Sequence, residues 1–103
     1  MQLHPLKLVT VIAEPVIEEP IAQKALELGA TGYTSSSVSG SGARGIRNST
    51  TLSENVQMQF VVSEEVAGEL LTYISRKYFE HYACIAWVTD VSVVRGNRYI
   101  REK

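Results

Sequence analysis

Cysteine occurs once in this chain of 103 residues, at Cys84, so no intrachain disulfide can form, and no Cys/His group has the spacing of a structural zinc site. A reducing cytoplasm is the expected compartment. There is no excess of charge of either sign: Lys+Arg number 10 and Asp+Glu 11, for a net charge of -1. That balance argues against a protein that works on a nucleic-acid backbone, because such binding runs on surplus positive charge. Long apolar runs are missing too, and nothing approaches the roughly 20 apolar residues of a membrane helix. The start, with His4 and Pro5 and no basic region, does not read as a secretory signal. These absences leave one soluble domain, residues 1–103, not itself embedded in a membrane. A domain of this size buries only about two thirds of its unfolded surface, so a surplus of apolar residues on one face would be covered by assembly.

Residues 6–13 (LKLVTVIA) are apolar on both alternating sets and rich in β-branched side chains, as expected of a strand buried on two faces. Glu14 and Pro15 stop that strand. A helix is expected over 18–28, with Ile21, Ala25 and Leu28 on its buried stripe, Ala22 and Leu26 beside them, and Gly29 as its C-cap. Residues 31–38 read as a second strand from their Thr, Tyr, Ser and Val content. A clean alternation of Val56, Met58, Phe60 and Val62 marks a third, and Ser63 then caps a helix with Glu64 and Glu65 in its first turn. Val66, Leu70, Ile74 and Tyr78 form its stripe. Residues 83–94 are a last strand, long enough for its second half to meet another subunit, and a polar, basic tail occupies 95–103. The order βαββαβ specifies an α+β, ferredoxin-like sandwich: a four-stranded antiparallel sheet with two helices on one face and the other face left for another partner.

Between the second and third strands, residues 39–53 hold glycines and two arginines, Arg44 and Arg47, with no acidic residue. Gly40, Gly42 and Gly45 satisfy G-x-G-x-x-G, but no amphipathic helix follows and the chain is too short for a doubly wound sheet, so the dinucleotide fingerprint fails its context test. The chemistry survives without that fold. Glycines let backbone N–H groups converge on an anion, and arginine offers a bidentate fork to phosphate or carboxylate. A flexible solvated linker is the competing reading. Arg95 and Arg98 form a second cationic group in the tail. Cys84 would need a base to act as a nucleophile, and His81 is the nearby candidate; with no third group to complete a triad, an inert packed thiol is the simpler reading. His4 and His81 lack a convergent further metal ligand.

The run Gly29-Ala30-Thr31-Gly32-Tyr33-Thr34, followed by Gly42-Ala43-Arg44-Gly45-Ile46-Arg47-Asn48-Ser49, resembles the PII-like signalling proteins, in the branch that holds the bicarbonate-transporter regulator SbtB and the carboxysome-associated CPII. The resemblance spans most of the chain and is most specific in the glycine and arginine segment. It implies a homotrimer whose inter-subunit clefts each bind an adenine nucleotide and act on a T-loop, here 39–53. By position, Thr34 would border the adenosine, and Gly40, Gly42, Arg44 and Arg47 would meet phosphates. Tyr82, Cys84 and Ile85 would come from the B-loop region of the neighbouring subunit, with Arg95 and Arg98 as C-terminal basic residues. Arg44 and Arg47 are also the expected anion contacts for bicarbonate.

Two departures refine this. Glu80-His81-Tyr82-Ala83-Cys84 has neither the glycine nor the lysine of ATP-holding B-loops, which favours ADP, AMP or cyclic AMP over ATP by the count of charged donors. The chain also ends without a cysteine-bearing redox extension, so no role tied to one is carried over. The expected function is a non-enzymatic sensor of adenine nucleotide and inorganic carbon, without a resident cofactor, metal or nucleic-acid partner. A membrane bicarbonate transporter or a carboxysome-related protein is its implied downstream partner, placing it in the cytoplasm, at a carboxysome or peripherally at the inner membrane. The competing functions are a docking subunit that controls such a transporter and a metal-handling or nucleotide-hydrolysing protein on the same trimeric fold.

Overall fold

A computed structural model of the protein describes residues 1–40 and 53–100. Its elements are β1 (Leu3–Ala13), α1 (Glu18–Leu28), β2 (Thr34–Gly40), β3 (Ser53–Val62), α2 (Glu64–Tyr78) and β4 (Cys84–Val94), with short 3-10 turns at Pro15–Ile17 and Gly96–Tyr99. The strands form one antiparallel sheet in the order β2-β3-β1-β4. This is the expected ferredoxin-like sandwich. The inner strands are β1 and β3, and the most apolar strand, β1, sits there because it can lose both faces and both edges to neighbours.

One face carries the core. Val9, Val11 and Ala13 of β1 and Val56, Met58, Phe60 and Val62 of β3 pack against Ile21, Ala22 and Ala25 of α1 and Ala67, Leu70, Ile74 and Tyr78 of α2. The expected helical stripes are therefore correct, with Leu28, Val66 and Leu71 packed at the margin. Ser63 caps α2 as anticipated: its Oγ accepts a hydrogen bond from Val66 N–H at 3.2 Å. Gly29, at φ 128°, closes α1 by donating to the Ala25 and Leu26 carbonyls. Ala30 N–H also donates to the Ala25 carbonyl, at 2.9 Å.

Strand ends differ from the sequence reading. β1 starts at Leu3, because Leu3–Leu6 pair with Val91–Val94 of β4 although β3 no longer reaches that far. Pro5 is tolerated there because β1 has a neighbour on one side only. β2 begins at Thr34 rather than at residue 31, since pairing with β3 and not local propensity sets its limits. At its other end Ser39 and Gly40 pair with Glu54 and Ser53, so these residues lie in a hairpin that runs on past the end of β1. Ser39, Gly40 and Ser53, at the ends of the expected loop 39–53, thus lie in strand, and 41–52, with Gly42, Arg44 and Arg47, lies outside the described residues. The basic tail is not featureless either: Gly96 is buried, a Cβ placed on it would collide with the His4 side chain, and Arg95 before it takes φ 63°.

Candidate functional site

The register arranges residues from all four strands in rows across the sheet. On the face away from the helices one row reads Thr34, Gln59, Thr10, Trp87, and the next Ser36, Gln57, Ile12, Ile85. Gln59 Nε2 donates to Thr10 Oγ1 at 3.5 Å, which helps hold the buried Thr10 hydroxyl on this face. Ile85 and Trp87 are large and exposed, at 57% and 42%. An apolar face with a polar strip, left open by the chain's own helices, is what assembly covers.

The expected site residues fall into two groups at opposite edges of this sheet. Thr34 and Gly40 belong to edge strand β2, and Cys84 and Ile85 to edge strand β4. Three strand spacings, about 14 Å, separate Thr34 from the β4 residue in its row. One chain does not bring the two groups together. A cleft using both requires β2 and its loop from one subunit and β4 from another.

Within the β4 group the side chains diverge. Alternation sends Cys84 to the helix-covered face and Ile85 to the open one. Tyr82 is half-buried and packs edge-on against Tyr78 at 5.5 Å between ring centres. The Tyr82 and Cys84 side chains therefore lie toward the helix-covered core and Ile85 on the open face. Arg95 and Arg98 lie beyond the far end of β4, linked by the Arg98 N–H to Arg95 carbonyl hydrogen bond at 3.0 Å. The tail runs on to Tyr99 and Ile100, which line a cavity with Gly29 and Ser63, so it crosses toward the end of the sheet where β2 begins.

Cys84 has the character of an inert thiol. Burial, and then the negative charge of Glu14, pushes it up to about 11, so it stays protonated near neutrality. Sequence reasoning missed the reason this region is held: the Glu14 carboxylate Oε2 accepts from Ala83 N–H at 2.7 Å, and Glu14 N–H donates to the Ala83 carbonyl at 3.3 Å. Glu14 thereby ties the end of β1 to the start of β4. Its only sequence signal was a carboxylate directly after a buried strand. Asn55, at the hairpin base, was also missed. Its Oδ1 is buried without a hydrogen-bond partner among the described residues. Among those residues no group of three or more His, Cys, Asp or Glu side chains could hold a metal ion, and no helix is long and apolar enough to cross a membrane.

A family model described as nitrogen regulatory protein P-II matches residues 6–98. A protein of Thermus thermophilus, described as a PII-like signalling protein, is 45% identical over 97% of this chain and 100% of its own, with a TM-score of 0.83. CPII of Thiomonas intermedia, in its structure bound to ADP and bicarbonate, is 27% identical over 95% of this chain and 97% of its own, with a TM-score of 0.81. The structure of that protein bound to ADP, AMP and acetate matches 96% of this chain and 98% of its own at 27% identity, with a TM-score of 0.79.

Proposed function

Since the chain belongs to the nitrogen regulatory protein P-II family, we propose that it is a non-enzymatic, homotrimeric signalling protein. In this reading it binds an adenine nucleotide and bicarbonate in clefts between subunits and reports their state through the T-loop, 39–53. One observation carries the assembly half: Thr34 and Gly40 stand at one edge of the sheet and Cys84 and Ile85 at the other, so only a second subunit completes a cleft. The open apolar face around Ile85 and Trp87 supplies the surface that such packing buries. The ligand half draws on the chemistry of Arg44 and Arg47 and on the ADP and bicarbonate held by the Thiomonas relative.

The nucleotide we favour is ADP or AMP. Residues 80–84 bring no lysine to a polyphosphate, and each charged donor withheld weakens a triphosphate more than a monophosphate. Bicarbonate is a small anion that guanidinium groups and loop N–H groups can hold beside a phosphate. If the two share a cleft their binding free energies are coupled, and each must change the other's affinity by the same factor.

A native mass spectrum tests the assembly, with a trimer expected and a monomer fatal to the cleft. Calorimetric titration of ADP with and without bicarbonate tests the coupling, and identical affinities would remove the inorganic-carbon half. Arg47→Ala should weaken ADP by about 1.5–3 kcal/mol, the scale of a lost charged hydrogen bond, and adenosine by less. Equal losses would place Arg47 away from the phosphates. Control of a membrane bicarbonate transporter, or contact with a carboxysome component, is the downstream role this reading carries. Deleting 41–52 should then release the protein from membranes that hold the transporter.

A further inference from the structure

On the outer side of the helical layer, α1 and α2 leave a groove of about 880 Å³ between them. The groove is distinct from the sheet edges and from the open sheet face. Leu28 of α1 and Tyr73 of α2, both partly buried, supply its larger apolar surface. Its charge is divided by position. Glu64, Glu65 and Glu69 line the end at the start of α2, and Lys24, Arg76 and Lys77 the end near its finish.

The basic end is organised around one ring. Lys24 Nζ lies 5.2 Å and Lys77 Nζ 5.4 Å from the centre of Tyr73, and Lys77 also donates to the Tyr73 hydroxyl at 3.3 Å. Two ammonium groups converging on a phenol make a local positive field beside an apolar wall. Burial opposes ionisation of Tyr73, but the hydrogen bonds with Tyr78 and Lys77 and the charges of Lys77 and Lys24 outweigh it and lower its pKa.

Within the acidic end, between Glu65 and Glu69, sits Gly68, exposed and inside α2. A glycine there costs helix stability, and nothing lies within 4 Å of where its Cβ would be. The chain's own packing therefore gives no reason for glycine at this point. An absent side chain on the floor of a groove does have a use: it lets another backbone approach closely.

We propose that this groove is a docking site for a helix of a partner protein. That helix carries acidic residues in its first half, basic residues in its second, and a leucine-like stripe along the face that meets Leu28, Gly68 and Tyr73. The matching follows from charge: the acidic half meets Lys24, Arg76 and Lys77, and the basic half meets Glu64, Glu65 and Glu69. In that orientation the partner runs antiparallel to α2, which also sets the two helix dipoles against each other favourably. The site lies outside the proposed nucleotide cleft, so either reading can fail without the other.

The test uses the full chain and a fluorescently labelled synthetic peptide of about four helical turns, with Glu in its first half, Lys in its second and Leu at i, i+4, i+7 and i+11. A peptide of the same composition with the charges interspersed is the control. Anisotropy titration should give saturable binding to the charge-divided peptide, at least about tenfold tighter than to the control. Gly68→Trp, which fills the floor, and Lys24→Glu, which reverses the basic end, should each weaken it about tenfold or more while ADP titration is unchanged. If Gly68→Trp does not fold, Lys24→Glu decides. Absent binding, equal affinity for the control peptide, or wild-type affinity in a folded variant would overturn the proposal.

Discussion

The two faces of the sheet are built from the same strands in alternation, yet they meet different fates. On the helix side Val9, Val11, Met58 and Phe60 are fully buried. On the other side Leu8, Ile12 and Val61 are half-buried, while Ile85 and Trp87 remain exposed. The first face satisfies its hydrophobic demand within one chain, and the second does not. Its polar strip of Thr10, Gln57 and Gln59 further distinguishes it, because a second core would contain few such groups. The difference teaches that similar alternation can specify a core on one side and an assembly surface on the other, depending on which layers the chain itself supplies. β4 shows the same division along its length. Cys84 and Ala86 reach the core, but Val88 and Val94 on the same face are 45% and 50% exposed, past the cover of the helices.

This contrast can be broken most directly at Phe60. Phe60→Ala removes a fully buried ring and should cost about 3–5 kcal/mol in a denaturant melt; a loss near zero would mean that the helix-covered face is not the core. On the opposite face, Trp87→Glu should convert the proposed trimer to smaller species in native mass spectrometry while the circular dichroism of the fold persists. If assembly survives that charge, the open face is not its interface.

Cys84 sharpens the contrast at the boundary between covered and uncovered β4. With its thiol at about 11, alkylation at pH 8 should run roughly a hundredfold slower than for a thiol at 9.0, measured by mass. The folded pKa lies above the ordinary thiol value, so the folded protein holds this proton more tightly than the unfolded chain. Its contribution to stability is complete below the unfolded pKa and is lost as pH rises from there through about 11. Alkylation as fast as in the denatured chain would show that the start of β4 is open.

Much of the fold was legible locally. The stripes at Ile21, Ala25, Leu70 and Ile74, the Ser63 cap and the alternation from Val56 to Val62 follow from helical and strand periodicities that any short window reveals. Strand ends were less legible. Ser39 and Gly40 have turn-like composition, yet they join β2 because Glu54 and Ser53 lie opposite them. Leu3–Pro5 likewise becomes strand through β4. The candidate site was legible as a set of residue types and illegible as geometry. Nothing near Cys84 in sequence tells that it turns toward the helices while Ile85 turns away, or that Glu14 clasps Ala83 from 69 positions earlier.

What the sequence determined alone is what depends on neighbours a few residues apart: which segments are helix or strand, which side of each is apolar, and where an acid-free, glycine-rich loop interrupts them. Tertiary structure decided what depends on pairing between distant strands: the order β2-β3-β1-β4, the placing of Thr34 and Cys84 at opposite edges, and the groove between α1 and α2. The reason is physical. Periodicity is a property of one segment's backbone geometry, whereas an edge, a cleft or a groove exists only between segments whose separation along the chain carries no local energetic signature.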